Sequence, residues 1–309
     1  MSTCIALSTD HNYIPQTCLT VCSYALSNPT ERADIHVLID ETVTGEDRDL
    51  LSRTADVFSL RLRIVPLEST WKSRIPERFL SGWSHVSPVA FAKLLAIDLL
   101  PSDYDRCLIL DTDLLVVGSL QRLCSMSLEG YPIAAVRDFM MPESSGKRLS
   151  LSRPETYFNS GVLLVDRVKW NNADPLNRIA SMDEALLSRL SFLEQDILNI
   201  IFEVDYLELS PCFNNMIMVA LSGEIPNPGD PDRIPVIHHF PGQIKPWHEY
   251  SPRRVQGLYL QYANVCRWIG MTLKAPSNTQ ELRLAATLSR NLGNQALFAK
   301  YSQLLSQSN

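Results

Sequence analysis

The sequence holds 309 residues, 45% of them hydrophobic and 20% charged, with a formal net charge of −6. That is the composition of a globular chain long enough for one large α/β domain or two smaller ones. It excludes repeat arrays and low-complexity chains, and no apolar run approaches the roughly 18 residues needed to cross a bilayer.

The first residues run straight into a strand-like Cys4–Ser8 without a basic start or a cleavage pattern, so a cytoplasmic chain is expected. Thr9-Asp10-His11-Asn12-Tyr13 follows, and then a helix to about Ser27. A polar, aromatic-tipped loop between the first strand and first helix of an α/β domain is where such folds bind nucleotides. Ile35–Ile39 reads as the second strand, Thr44 as the cap of a helix through Leu50, Leu51 and Ala55, and Arg61–Leu67 as the third strand. After an irregular stretch with Trp71 and Trp83, Pro88 opens a helix that carries Lys93 and ends near Pro101. Ile133–Arg137 is a further apolar strand ending at Asp138, with residues 139–153 loop-like behind it. Tyr157–Asp166 is a buried strand whose entry carries Asn159 and Gly161 instead of apolar residues. A Leu-rich helix is expected from there through residue 190, and Leu193-Glu194-Gln195-Asp196-Ile197-Leu198-Asn199 starts another. Strands alternating with helices predict a largely parallel or mixed sheet covered on both faces.

The stretch Cys107–Val117 stands apart because its apolar run is broken by Asp111 and Asp113. Carboxylates are not taken to the end of a buried strand unless paired, hydrogen-bonded or bound to metal. Side chains at i and i+2 of a strand share a face, so both can turn to one cation. The spacing alone decides little, because the chain has four Asp-x-Asp triplets: Asp47/Asp49, Asp103/Asp105, Asp111/Asp113 and Asp230/Asp232. Only the third ends an apolar strand. A second anchor is Val236–Trp247, where an apolar strand delivers His238 and His239, Gly242 frees the backbone for close approach, and Lys245 offers a point charge.

Together, Asp10-His11-Asn12-Tyr13, Asp111-Thr112-Asp113, Phe158-Asn159-Ser160-Gly161, Gln195-Asp196-Ile197-Leu198-Asn199 and His239-x-x-Gly242-x-x-Lys245-Pro246-Trp247 resemble glycosyltransferase family 8. They occur in that family's order over roughly residues 3–250. The resemblance implies an α/β GT-A catalytic domain over 1–250, leaving 251–309 as a basic helical extension. It implies a retaining enzyme that moves glucose or galactose from a UDP-sugar to a glycan or lipopolysaccharide acceptor. By the same resemblance, Asp111, Asp113 and His239 would hold Mn²⁺ or Mg²⁺. Thr9, Asp10, Asn12, Tyr13 and Thr112 would contact the nucleotide, Asp10 and Tyr13 taking the base, and Gly242 and Lys245 the phosphates. Lys93, Asn159, Glu194 and Gln195 would face the sugar, and Asp138 the acceptor. Two positions depart from the family's usual pattern: Lys93 stands where relatives usually carry Arg, and Glu194 where Asp is commoner. Each changes reach and fork geometry without changing charge.

Seven cysteines, an odd number in mostly apolar surroundings, predict reduced thiols, and Cys18 and Cys22 on one helix are expected to pack in the core. From Pro252 onward seven basic residues face one acidic residue, Glu281, a net +6 against −12 for the remainder. That asymmetry suggests peripheral contact with an anionic membrane, and no nucleic-acid partner is expected. Two other functions compete. A phosphatase also places Asp-x-Asp at the end of an apolar strand, but Leu114-Leu115 follows here instead of Gly-Thr, and the His239–Lys245 segment would go unused. A catalytically inactive UDP-sugar-binding relative would keep the same motifs.

Overall fold

A computed structural model describes residues 2–30, 32–68, 71–75, 77, 87–217 and 234–307. Trp83 and the Asp230/Asp232 triplet lie outside the described residues. The described chain packs as two compact units, one formed by 2–215 with 234–239, the other by 216–217 with 240–307.

The first unit is built on a seven-stranded sheet in the order β3-β2-β1-β4-β7-β6-β8. Its strands are β1 (Thr3–Thr9), β2 (Ile35–Ile39), β3 (Leu62–Pro66), β4 (Arg106–Leu110), β6 (Ile133–Arg137), β7 (Phe158–Asp166) and β8 (Tyr206–Glu208). β1 is parallel to β2 and β4, β2 to β3, and β6 to β8, while β7 runs antiparallel to both β4 and β6. The sheet is therefore mixed and mostly parallel, as the alternation of elements predicted. β2 and β4 are buried at every residue, the pattern of strands covered on both faces. This topology brings the carboxyl ends of β1, β4 and β6 and the start of antiparallel β7 to one edge, the usual place for ligands in such sheets. Asp10, Asp111, Asp138 and Asn159 all occupy that edge.

Thr44 caps α2 (Gly45–Val57) through a reciprocal capping box with Asp47, and α1 (Ile14–Ser27) follows a 3-10 turn over His11–Tyr13. Pro88 opens a 3-10 turn before α3 (Ala92–Leu99). The apolar strand ends just before Asp111, as expected. β4 stops at Leu110, and β5 (Leu114–Val116), which leads toward α4 (Gln121–Ser125), joins a three-stranded sheet with β9 (Asn215–Met216) and β10 (Ile237–His239) in the order β5-β10-β9. The Asp-Thr-Asp segment is thus the bend between two sheets.

Two expectations are corrected. Residues 139–153 contain a short helix, α5 (Glu143–Arg148), braced by an i,i+4 pair between Glu143 and Lys147. The Leu-rich segment after β7 is three short helices, α6 (Arg167–Ala173), α7 (Pro175–Ala180) and α8 (Glu184–Leu187), preceding α9 (Leu193–Ile201). Asp174 sits in the left-handed region at φ 49°, Pro175 cannot donate an amide to the helix before it, and Asp183 caps the next start. All seven cysteines are free thiols.

The second unit contains α10 (Arg253–Val265), α11 (Thr279–Asn291) and α12 (Gln295–Gln307). Within it the segment after His239 finds its ring partners: Trp247 lies 5.3 Å from Tyr259, and Tyr250 lies 6.1 Å from Tyr301. Glu249 accepts from both Lys300 and Tyr301. Among the described residues no helix is long and apolar enough to cross a membrane.

Candidate active site

Three segments meet at the sheet edge to make a cluster of oxygen and nitrogen donors. Asp111 leaves β4 with its amide donating to the Gly161 carbonyl at 2.9 Å, which sets it opposite the start of β7. Antiparallel pairing of β5 with β10 puts His239 across from Leu114, next to Asp113. Thr20 of α1 donates its hydroxyl to the carbonyls of Thr112 and Leu114 at 3.1 and 2.8 Å and so pins the bend. Nε2 of His239 then lies 3.3 Å from Asp113 Oδ1 and 3.9 Å from Asp111 Oδ2, and one ligand atom from each residue falls within 4.8 Å of the others. Two carboxylates and an imidazole this close suit a divalent ion that accepts oxygen and nitrogen, so these residues fit the expected cation. Gly161 makes room for the ring: a Cβ there would come within 2.3 Å of His239 Cε1.

Beside this cluster lies Lys93, buried at 3% exposure. Its ammonium donates to Asp111 Oδ1 at 2.7 Å and pairs with Glu194 Oε1 at 3.2 Å. Burial alone would lower its pKa, but the two carboxylates outweigh burial and hold it above the usual lysine range. Glu194 is pushed up by burial and by the neighbouring Asp111, with Lys93 offsetting part of the rise.

Gln195, on the next helix position, is held at both ends. Its Oε1 accepts from Asn159 Nδ2 and the Ser160 amide at 3.1 Å each, and its Nε2 donates to Asp138 Oδ2 at 3.2 Å. Asn159 donates in turn to Asp138 Oδ2 at 3.1 Å. The structure therefore brings Asp111, Asp113, His239, Lys93, Glu194, Gln195, Asn159 and Asp138 into one continuous network within the first unit.

At the end of β1, Asp10 Oδ1 accepts from the amides of Asn12 and Tyr13 at 2.9 and 3.2 Å, which shapes the 3-10 turn. Asn12 is exposed and Tyr13 half-buried. Thr9 is buried, its hydroxyl accepting from Thr17 at 2.8 Å, so its side chain packs against α1. Thr112 is half-buried in the bend. Gly242 and Lys245 belong to the second unit. Gly242 adopts φ +87°, a conformation only glycine takes readily. Lys245 Nζ donates to the Phe240 carbonyl at 2.8 Å.

Three contributors escaped the sequence reading. Thr20 is an ordinary polar residue in an otherwise buried helix. Tyr157 donates to Asp196 at 2.6 Å and accepts from Gln195, with its phenol pushed far up by burial and by the Asp196 carboxylate. Asn214 places Oδ1 at 2.9 Å from His239 Nδ1 and donates to Asn159 Oδ1 at 2.8 Å. Its only sequence signal is a polar pair, Asn214-Asn215, among apolar neighbours.

A family model described as "Glycosyl transferase family 8" matches residues 4–251. The chain belongs to this family. The family 8 chain is 26% identical over 290 residues to lipopolysaccharide 1,3-galactosyltransferase of Salmonella typhimurium strain LT2, covering 91% of this chain and 84% of that protein. It is 24% identical over 274 residues to lipopolysaccharide 1,2-glucosyltransferase of Escherichia coli, covering 86% and 79%. Among solved structures, galactosyltransferase LgtC in complex with donor and acceptor sugar analogs superposes with a TM-score of 0.70 at 24% identity, covering 84% of this chain and 95% of that one. That likeness identifies the fold as GT-A. The chain is a glycosyltransferase, and the phosphatase reading is set aside.

Proposed function

We propose that this enzyme is a retaining hexosyltransferase that moves glucose or galactose from a UDP-sugar to a hydroxyl of a glycan or lipopolysaccharide acceptor. The observation that carries this reading is the Asp111/Asp113/His239 cluster joined to the network of Lys93, Glu194, Gln195, Asn159 and Asp138. Relatives named as galactosyl- and glucosyltransferases support a hexose donor. Asp111, Asp113 and His239 would hold Mn²⁺, which when bound supplies positive charge beside the diphosphate as it leaves.

The chain's own residues account for the rest. Asp10, Asn12 and Tyr13 take the base and ribose at the end of β1, and the motif His239-x-x-Gly242-x-x-Lys245 implies phosphate contacts for Gly242 and Lys245. Lys93, Glu194 and Asn159 read the sugar's hydroxyls, and Asp138 orients the acceptor. A double displacement needs a carboxylate nucleophile on the far face of the anomeric carbon. Gln195 fills the family position nearest that face, and its amide oxygen is a weak nucleophile already engaged by two donors. We therefore favour attack on the same face. The bond from anomeric carbon to phosphate oxygen breaks, the acceptor oxygen bonds to that carbon, and the acceptor proton passes to the leaving diphosphate.

The test is turnover of UDP-glucose and UDP-galactose by the purified chain with and without Mn²⁺. Turnover is expected only with the ion, and Asp113→Asn should abolish it. Tight Mn²⁺-dependent UDP binding without turnover across donors and acceptors would replace this reading with an inactive binding relative. For the second unit, the exposed Arg283 and Arg290 support contact with an anionic membrane surface. Their joint change to Glu should reduce sedimentation with anionic vesicles; equal sedimentation would rule the contact out.

A further inference from the structure

The polar network around His239 has a direction that can be read from its ends. A carboxylate only accepts and a backbone N–H only donates. Asn159 sits between one of each: its Nδ2 donates to Asp138 Oδ2 at 3.1 Å, and its Oδ1 accepts from the Gly161 amide at 2.9 Å. Those two partners decide which end of the Asn159 amide is oxygen. Asn214 donates its Nδ2 to that same oxygen at 2.8 Å. With its nitrogen committed, Asn214 can present only Oδ1 to His239 Nδ1, at 2.9 Å. An oxygen there must accept, so Nδ1 carries a proton and Nε2 is the ring atom turned to Asp113 and Asp111.

The neighbouring His238 places its own Nδ1 2.9 Å from the side-chain amide of Asn215. Asn214, His239 and Asn159 are 1%, 2% and 4% exposed, so bulk water has no access to replace these bonds.

We propose that Asn214 is a positioning residue of the cation site, holding the His239 proton on Nδ1 so that Nε2 can serve as ligand, and tying the ring through Asn159 to Asp138. The proposal rests on the reading of Asp111, Asp113 and His239 as a divalent-cation site. Partners that orient a ligating histidine typically contribute a factor of about 10–100 in metal affinity.

The experiment uses the full chain and two variants, Asn214→Leu and Asn214→Asp. Mn²⁺ binding is read from the electron paramagnetic resonance of the free ion, and the His239 protonation site from nitrogen-15 NMR without metal and with diamagnetic Mg²⁺. Asn214→Leu, checked for folding by near-UV circular dichroism, should weaken Mn²⁺ binding by about 10–100-fold and lose the preference for a proton on Nδ1. Asn214→Asp keeps an accepting oxygen at Nδ1 but gives up the Nδ2 bond to Asn159 Oδ1, so its affinity should fall, by less than that of the Leu variant, while the proton stays on Nδ1. The proposal is overturned if the folded Leu variant binds like the parent, if both variants weaken equally, or if parental His239 carries its only proton on Nε2. The NMR result on the parent decides even where the Leu variant does not fold. A parent that binds no Mn²⁺ would overturn the cation site and this inference together, whereas an unaffected Leu variant beside a binding parent overturns the inference alone.

Discussion

Gly161→Ala is a small change with a large expected effect. The new Cβ would lie 2.3 Å from Cε1 and 2.8 Å from Nδ1 of His239, and 3.0 Å from Asn159 Oδ1. Carbon atoms pack at about 3.5–4.0 Å, so the ring must retreat by roughly 1 Å. It has little room: His239 is 2% exposed and bonded to Asn214 on the side away from the carboxylates. Overpacking of this kind costs about 1–3 kcal/mol, and the stiffer unfolded chain of alanine offsets roughly 0.4–1 kcal/mol. A net loss of about 1–2 kcal/mol corresponds to a Tm lowered by about 1.5–3 °C for a protein of this size. The functional effect should be larger than the stability effect, because metal–ligand distances tolerate only about 0.2 Å. Mn²⁺ affinity should therefore fall at least about tenfold. Calorimetric melting and Mn²⁺ titration of the same sample measure both. Gly45→Ala serves as control, since a Cβ there meets nothing within 4 Å. If Gly161→Ala matches the parent in Tm and in Mn²⁺ affinity, the close packing of His239 on Gly161 is not what shapes the site.

Lys93→Met should destabilise the fold by about 3 kcal/mol, at the low end for breaking a buried ion pair, because Asp111 remains 30% exposed and can be hydrated. Urea unfolding measures it, and Mn²⁺ should raise the variant's stability more than the parent's; a loss below about 0.5 kcal/mol, the range of an ordinary surface change, would contradict the geometry. Stability should also fall in acid through His248. Burial lowers its pKa to about 4, with Glu281 opposing and Lys245 and Lys274 reinforcing the shift. Its unfolded value is about 6.5, so its contribution is fully present above about pH 6.5 and is lost as pH falls toward 4, up to about 3 kcal/mol in all. His248→Gln should flatten that part of the stability profile, and an unchanged slope would show that other groups carry it.

How much of this was legible in the sequence varies from residue to residue. The bend at Asp111–Asp113 could be found because it breaks an apolar run, and His239 because Gly242 and Lys245 follow at fixed spacing. The edges of β2 and the Thr44 cap were equally accessible, since apolar runs and capping residues act within a few positions. Residues 167–187 misled, because Leu content suggests one helix whereas a left-handed Asp174 and the following Pro175 break it. Trp247 and Tyr250 read as the end of the motif region, yet their ring partners Tyr259 and Tyr301 lie farther along the chain.

By itself the sequence determined the strand and helix types, the mixed α/β class, and the identity of the carboxylates and imidazole at the sheet edge. Only the tertiary structure decided what those groups face. Antiparallel β7 sets Gly161 opposite Asp111, and pairing of β5 with β10 brings His239 beside Asp113. Lys93 reaches Asp111 and Glu194 across separations of 18 and 101 positions, and Asn214 reaches His239 across 25. The reason is physical: side-chain pattern and backbone propensity act over a turn or a pleat, whereas strand partner, register and ring orientation are set by contacts between segments distant in sequence.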